Sequence, residues 1–173
     1  QQDVPDCYFL DLFAGSGQIG LEAVSRGAAK AFFIENAKNA AACIQDNIRF
    51  TKFEDACTLL QTDVISGLRT LEGKYRFDLI FMDAAKGQYI HFMSDILRLL
   101  KTGGTLVSDN VLQDGDIIES HYAVIRRNRT IYKRMREYLY ELTHRKDLVT
   151  AVLPVGDGIT VSTKVEVEND EKE

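Results

Sequence analysis

Phe77-Asp78-Leu79-Ile80-Phe81-Met82-Asp83-Ala84-Ala85-Lys86 is an apolar run of strand length that ends in a carboxylate and then a lysine. A run this short, bracketed by charge, predicts a strand buried on both faces of a parallel sheet. Its closing acid, Asp83, then emerges at the carboxyl edge of that sheet. In open α/β sheets ligands bind outside that edge, in the crevice where strand order reverses. Position alone therefore places Asp83 and Lys86 for chemistry. The bland alternative is that Asp83 caps the next helix and Lys86 is a solvated lysine.

Working back from Phe77, the pattern of strand, turn and helix recurs. Residues 7–13 read as a first buried strand, and Ala14-Gly15-Ser16-Gly17-Gln18-Ile19-Gly20 turns into a helix running to about Arg26. Glycines 15, 17 and 20 satisfy GxGxxG between a strand and a helix, the context in which backbone can approach a cofactor and helix N–H groups stay free. Residues 31–34 form a second strand ending in Glu35, about twenty residues after the glycines, where an acid can accept hydrogen bonds from a ribose. Glu35 can equally cap the helix over residues 36–47, whose Ala40, Cys43, Ile44, Asn47 and Ile48 repeat at helical spacing and predict one face against the sheet. Cys57–Leu60 is a third strand, and Asp63 follows it, placed to meet an adenine amino group, to cap the helix Val64–Leu71, or to do both.

Working forward, residues 89–100 predict a helix, Lys101-Thr102-Gly103-Gly104 a turn, and residues 105–108 a fifth strand that delivers Asp109 and Asn110 to the same edge. The alternation βαβαβαβαβ demands a parallel sheet with helices on both faces. A polar loop leads to a helix over residues 130–144, in a neighbourhood holding Arg126, Arg127, Arg129, Lys133, Arg134 and Arg136. That cluster is the candidate nucleic-acid contact; its alternative is a solvated helix face. Strands over Leu148–Leu153 and residues 159–167 are joined by Pro154-Val155-Gly156-Asp157-Gly158, a turn too short for a parallel crossover, so they pair antiparallel. Residues 166–173 form an acidic tail, which leaves residues 1–165 as a single domain.

Composition narrows the function classes. A chain of 173 residues with 45% hydrophobic content carries one sizeable core. Three cysteines without CxxC spacing argue against a disulfide framework or zinc site and read as buried thiols of a reducing compartment. No run approaches the roughly 18 to 20 apolar residues of a membrane span, and no signal-peptide pattern opens the chain, so a cytoplasmic protein without a membrane partner is expected. The net charge of −5 argues against a coat of positive charge for nonspecific nucleic-acid binding.

Five parallel strands closed by an antiparallel hairpin are the layout of the class I S-adenosylmethionine-dependent methyltransferases. The dehydrogenases that share the glycine turn normally finish with a parallel sixth strand and a catalytic domain. Asp11-Leu12-Phe13-Ala14-Gly15-Ser16-Gly17 is similar to the methyltransferase first motif, whose acid reaches the sulfonium or amino end of the cofactor. The fold expected is therefore α/β and Rossmann-like, a seven-stranded sheet with helices on both faces. Cofactor binding by Asp11, Ala14, Gly15, Ser16, Gly17, Glu35, Asn36, Asp63, Val64 and Asp83 goes with it.

Within that class the chain carries two resemblances. From about Leu10 to Asp83, and above all in Leu10 to Gly17, Glu22 to Ala28 and Phe77 to Asp83, it resembles the bacterial 16S ribosomal RNA guanine-N2 methyltransferases. That family continues Asp-Pro-Pro-Tyr where this chain has Asp83-Ala84-Ala85-Lys86, so the guanine-amine reaction is not carried over, and guanine-N2 methylation of ribosomal RNA stands only as a third reading. From Asp83 onward, in Asp83 to Tyr89, Gly103 to Asn110, Arg126 to Thr130 and Pro154 to Gly158, it resembles the cation-dependent O-methyltransferases. Within these it is most similar to the bacterial tRNA 5-hydroxyuridine methyltransferases. The second resemblance implies Mg²⁺ or Mn²⁺ on Asp83, Asp109 and Asn110, with Lys86 as general base and Asp83 catalytic. It also implies S-adenosylmethionine and S-adenosylhomocysteine as ligands, tRNA or a small hydroxylated aromatic as substrate, and a homodimer. Two resemblances meeting near residues 77–86 point to a chimera, natural or engineered. Both families carry a segment ahead of the first strand, and its loss would leave a scaffold that binds cofactor without turnover.

Overall fold

The computed structural model describes residues 4–85, 87–112 and 129–167. Its strands are β1 (Tyr8–Leu12), β2 (Lys30–Ile34), β3 (Cys57–Leu60), β4 (Phe77–Met82), β5 (Leu100–Ser108), β6 (Leu148–Leu153) and β7 (Ile159–Lys164). Its helices are α1 (Gln18–Ser25), α2 (Lys38–Thr51), α3 (Val64–Leu71), α4 (Tyr89–Leu99) and α5 (Arg129–His144). All seven strands join one Rossmann-like sheet in the order β3-β2-β1-β4-β5-β7-β6. The first five run parallel, and β7 is antiparallel to both β5 and β6.

The pleat sorts side chains between two helical layers, because successive strand residues face opposite sides. Leu10, Leu12, Phe32 and Ile34 pack with Leu68 of α3, Ile96 of α4 and Met135 of α5. Phe9, Ala31 and Phe33 pack on the other face with Leu21 of α1 and Ile44 and Ile48 of α2. Asp11, in register with Phe9, is directed to the α1 side and is only 2% exposed. Close approach of α1 depends on Gly20, where an added Cβ would stand 2.4 Å from a ring carbon of Phe33. Gly20 thus belongs to packing, and Gly20→Ala would overpack the layer at a cost of about 1–3 kcal/mol.

Several boundaries differ from the sequence reading, each for a local reason. Strand β5 begins at Leu100 rather than 105, because pairing steps from Phe77 opposite Leu100 to Leu79 opposite Thr105. The expected turn 101–104 is a bulge within the strand. Helix α2 starts two residues later than expected, since the Glu35 carboxylate takes the Ala37 N–H at 2.7 Å, and it runs on to Thr51, whose hydroxyl bonds the Asn47 carbonyl. Its buried stripe is Ala41, Ile44 and Ile48. Cys43 lies off that stripe and is exposed, so of the three free thiols only Cys7 is fully buried. Strand β7 stops at Lys164 instead of 167. Among the described residues no helix is long and apolar enough to cross a membrane.

Sheet order reverses between β1 and β4, whose ends lie side by side with Leu12 opposite Met82. The crevice outside that pair is where such a sheet receives a ligand.

Candidate functional site

Each of the five parallel strands brings one carboxylate to, or just beyond, this carboxyl edge. They are Asp11 from β1, Glu35 after β2, Asp63 after β3, Asp83 after β4 and Asp109 after β5. Among the described residues none of the five has an ion-pair partner; they are held by backbone N–H groups and by one amide.

Glu35 is the hinge of the glycine-turn side of the crevice. One oxygen accepts the Gly15 N–H at 2.9 Å and the other the Ala37 N–H at 2.7 Å, so a single side chain ties the glycine turn to the start of α2. It holds the N–H of Ala37, the N-cap residue of α2, and also lies in the crevice. The turn is closed by the Gly17 N–H on the Ala14 carbonyl at 2.7 Å and anchored by the Ala14 N–H on the Ile34 carbonyl at 3.2 Å. The Ser16 carbonyl accepts from Asn47 at 2.9 Å. Gly15 has φ of 56°, and an added Cβ there would meet nothing within 4 Å, so its backbone faces open space. Glycine suits that left-handed conformation and leaves the approach clear.

Beside the turn, Glu35, Asn36, Asp63 and Val64 line a cavity of about 270 Å³ together with Phe13, Gln88 and Phe92. Four predicted cofactor residues therefore share one concavity. Asp63 also accepts the Ser66 N–H at 3.0 Å as the N-cap of α3, and its hydrogen bonds to Ser66 hold its carboxyl below the usual value. Asp11 sits under the first turn of α1 and accepts the Gly20 N–H at 3.1 Å. Burial, reinforced by the charges of Asp83 and Glu35, pushes its carboxyl up to about 7.

On the other side of the crevice Asp83 accepts the side-chain N–H of Asn110 at 2.9 Å. The Asp109 N–H bonds the Met82 carbonyl at 3.1 Å, and an Asp109 carboxylate oxygen takes the Asn110 N–H at 2.7 Å. Asn110 has φ of 57°, a left-handed turn that asparagine tolerates better than most residues. The predicted triad of Asp83, Asp109 and Asn110 is thus assembled from two strands. No group of three or more His, Cys, Asp or Glu among the described residues is arranged to hold a metal ion; this triad has two carboxylates and an amide.

Sequence reasoning missed the residue that joins the two loops. Tyr89, fully buried at the start of α4, accepts the Ala84 N–H at 3.1 Å and donates to the Asp109 carbonyl at 2.8 Å. Its phenol is raised above the ordinary value, first by burial and then by the charge of Asp83. Behind it Tyr138 of α5 packs ring to ring at 5.3 Å and shares a 2.6 Å hydrogen bond with Ser108. The available signal was a tyrosine on an apolar helical face, which reads as core until its hydroxyl is followed.

Of the basic candidates, Arg129, Lys133 and Arg134 lie in the first turns of α5, whereas Arg126 and Arg127 fall outside the described residues, as does Lys86. Helix α5 reaches the β4–α4 loop: a Cβ on Gly87 would stand 3.7 Å from the Arg134 side chain. This part of the basic cluster is therefore next to the crevice.

The chain resembles known proteins in both sequence and shape. It is 33% identical over 100 residues to the caffeoyl-CoA O-methyltransferase 2 of Populus trichocarpa, covering 54% of this chain and 39% of that protein. It spans less than half the length of the first curated relatives that it matches. The O-methyltransferase TomG from Streptomyces achromogenes, whose structure is in complex with SAM, superposes with a TM-score of 0.82 at 18% identity. That superposition covers 95% of this chain and 76% of TomG, and the fold is the Rossmann-like methyltransferase fold. A conserved hypothetical protein from Streptococcus pyogenes shares 26% identity at a TM-score of 0.65, covering 94% of this chain and 88% of that one. The model of the family described as conserved hypothetical protein 95 matches residues 1–141, and to that family the chain belongs.

Proposed function

We propose that the chain is an S-adenosylmethionine-dependent O-methyltransferase that uses Mg²⁺ or Mn²⁺ and acts on a hydroxylated tRNA base or a small hydroxylated aromatic. The observation carrying this reading is the meeting of Asp83 with Asn110, beside Asp109, across the crevice from the glycine turn held by Glu35. The O-methyltransferases among its relatives support the same reaction class.

Both oxygens of Glu35 are occupied by backbone donors, yet each keeps a lone pair for a ribose hydroxyl. Asp63 and Val64 border the space for the adenine, and the open backbone at Gly15 leaves room for the amino-acid end. Asp11 supplies a buried negative charge near a cationic ligand. Asp83, Asp109 and Asn110 offer only oxygen donors to a hard cation once the Asn110 amide turns its oxygen toward it. The cofactor brings an electrophilic methyl group, and a bound divalent ion lowers the pKa of a coordinated hydroxyl. Lys86 serves as general base, which requires a neutral amine. The basic start of α5, with Arg129, Lys133 and Arg134, supplies phosphate contacts if the substrate is tRNA.

Calorimetry with S-adenosylhomocysteine, followed by methyl-transfer assays on hydroxyuridine-containing tRNA and on a catechol, tests the reading. Binding of S-adenosylhomocysteine and transfer that stops in excess EDTA are expected. Stabilisation by NADH alone would end it, and transfer unchanged by EDTA would remove the metal. A steep loss of tRNA affinity with added salt is expected, and a flat response would favour the small aromatic.

A second reading, a composite scaffold joined near residues 77–86, rests on the two family resemblances that meet there. Tight S-adenosylhomocysteine binding with no transfer to any hydroxyl is the result that this reading expects.

A further inference from the structure

The opposite, amino edge of the sheet holds a second cleft, of about 510 Å³, between the ends of α3 and α4 and the start of β6. Four cations border it, Arg76, Arg98, Arg145 and Lys164, against two carboxylates, Glu72 and Asp147. Two of the cations are already neutralised. Arg98 bonds Glu72 at 2.8 Å and also pairs with Asp95, while Arg145 grips both oxygens of Asp147 at 2.8 Å. The other two make no salt bridge among the described residues. Arg76 is exposed and acts on Glu72 only through its charge. The Lys164 ammonium donates to the carbonyls of Leu97 at 2.6 Å and Leu100 at 3.1 Å, which fixes it in place, and the Asp147 carboxylate acts on it through its charge without a salt bridge. An ammonium has three protons, so one remains for a ligand.

We propose that this cleft is a binding site for a phosphate dianion, seated between the Arg76 guanidinium and the free proton of Lys164. Charge-assisted bonds from a planar guanidinium fork suit tetrahedral oxyanions, and an ammonium serves as a point charge beside it. Arg76 and Lys164 border the same cleft; burial first, and then the charge of Arg76, lowers the Lys164 pKa against the opposing pull of Asp147. An anion between them relieves that repulsion. The requirement is a doubly charged phosphate, which either free inorganic phosphate or a phosphate monoester provides.

The site is tested by amide NMR titration of the intact chain with inorganic phosphate, and separately with glycerol 3-phosphate, at ionic strength held constant with sodium chloride. Saturable shifts confined to residues around Arg76, Leu97, Leu100 and Lys164 are expected, with Arg76→Gln weakening binding about tenfold through loss of a charge-assisted pair. Arg76 is exposed, so that variant keeps the fold. Tighter binding of glycerol 3-phosphate than of phosphate identifies a monoester as the ligand, and the reverse identifies free phosphate. Shifts reproduced by chloride alone, or an affinity unchanged in Arg76→Gln, would overturn the proposal. The site is at the edge away from Asp83, so its failure leaves the methyltransferase reading untouched.

Discussion

The two edges of one sheet treat charge in opposite ways. At the amino edge carboxylates are answered by cations: Asp78 takes Lys101 on both oxygens at 2.8 Å, Asp147 takes Arg145, and Glu72 takes Arg98. At the carboxyl edge Asp11, Glu35, Asp63, Asp83 and Asp109 have no ion-pair partner among the described residues. Asp11 shows the cost: burial first, and then the charges of Asp83 and Glu35, raises its carboxyl. Surface pairs of the amino-edge kind contribute little each, but they remove that cost. The difference is that the carboxyl edge leaves its acids without salt bridges among the described residues, as the proposed binding of a cationic ligand and ion there requires, while most of the amino edge is already balanced.

The strongest way to break this contrast is Asp83→Ala. A divalent ion contributes several kcal/mol to such a step, so transfer assayed with Mg²⁺ should drop about a thousandfold at 1.36 kcal/mol per decade. S-adenosylhomocysteine affinity by calorimetry should be largely kept; if both are lost together, Asp83 serves the cofactor or the fold rather than the ion alone.

Asp11→Asn comes next. The Asp11 carboxyl titrates near 7 instead of 3.8, so between those values the folded chain holds a proton that the unfolded chain has released. Stability contributed by this group therefore falls as pH rises from about 4 to 7 and is level above. Asparagine keeps an acceptor for the Gly20 N–H and abolishes the slope. Urea unfolding at pH 8 should show a gain on the order of 2–4 kcal/mol, shrinking toward pH 4. An equal gain at both pH values would remove the charge from the explanation.

Tyr89→Phe sharpens the contrast within the carboxyl edge. It strands the Ala84 N–H and the Asp109 carbonyl in a buried place, which should cost about 1–2 kcal/mol in urea unfolding. If Tyr89 positions the two loops, Mn²⁺ binding followed by electron paramagnetic resonance should weaken about tenfold, with S-adenosylhomocysteine affinity retained. Weaker folding with unchanged Mn²⁺ affinity would make Tyr89 a packing residue only. The smallest effect belongs to the amino edge: Arg145→Gln should lower stability by under about 1 kcal/mol and leave Mn²⁺ and S-adenosylhomocysteine binding as they were. A large effect on either ligand would mean that the two edges are coupled.

Much of this was legible in the chain because strand and helix periods are local. Cys57–Leu60, Val64–Leu71, Phe77–Met82 and Leu148–Leu153 have the bounds read from residue pattern. Acids just beyond strand ends marked Glu35, Asp63, Asp83 and Asp109 as edge residues, since a parallel sheet brings all its carboxyl ends together. The bulge at 101–104 was not legible, because it depends on which residue of β4 each residue of β5 faces. The exposure of Cys43 was missed for a related reason: adjacent helix positions differ by about 100°, and only docking on the sheet selects the buried stripe.

By itself the sequence determined the order of strands and helices, the antiparallel hairpin at the end, and the acids that would reach one edge, since these follow from periodicity, turn length and the parallel rule. Only the tertiary structure decided that Glu35 clamps both the glycine turn and α2, that Gly20 packs against Phe33 while Gly15 stays open, and that the Tyr89 hydroxyl joins the two loops on either side of Asp83 and Asp109. Those facts are contacts between residues distant in the chain. Spacing along the sequence records no such distance; burial and hydrogen bonding fix it only when the layers close.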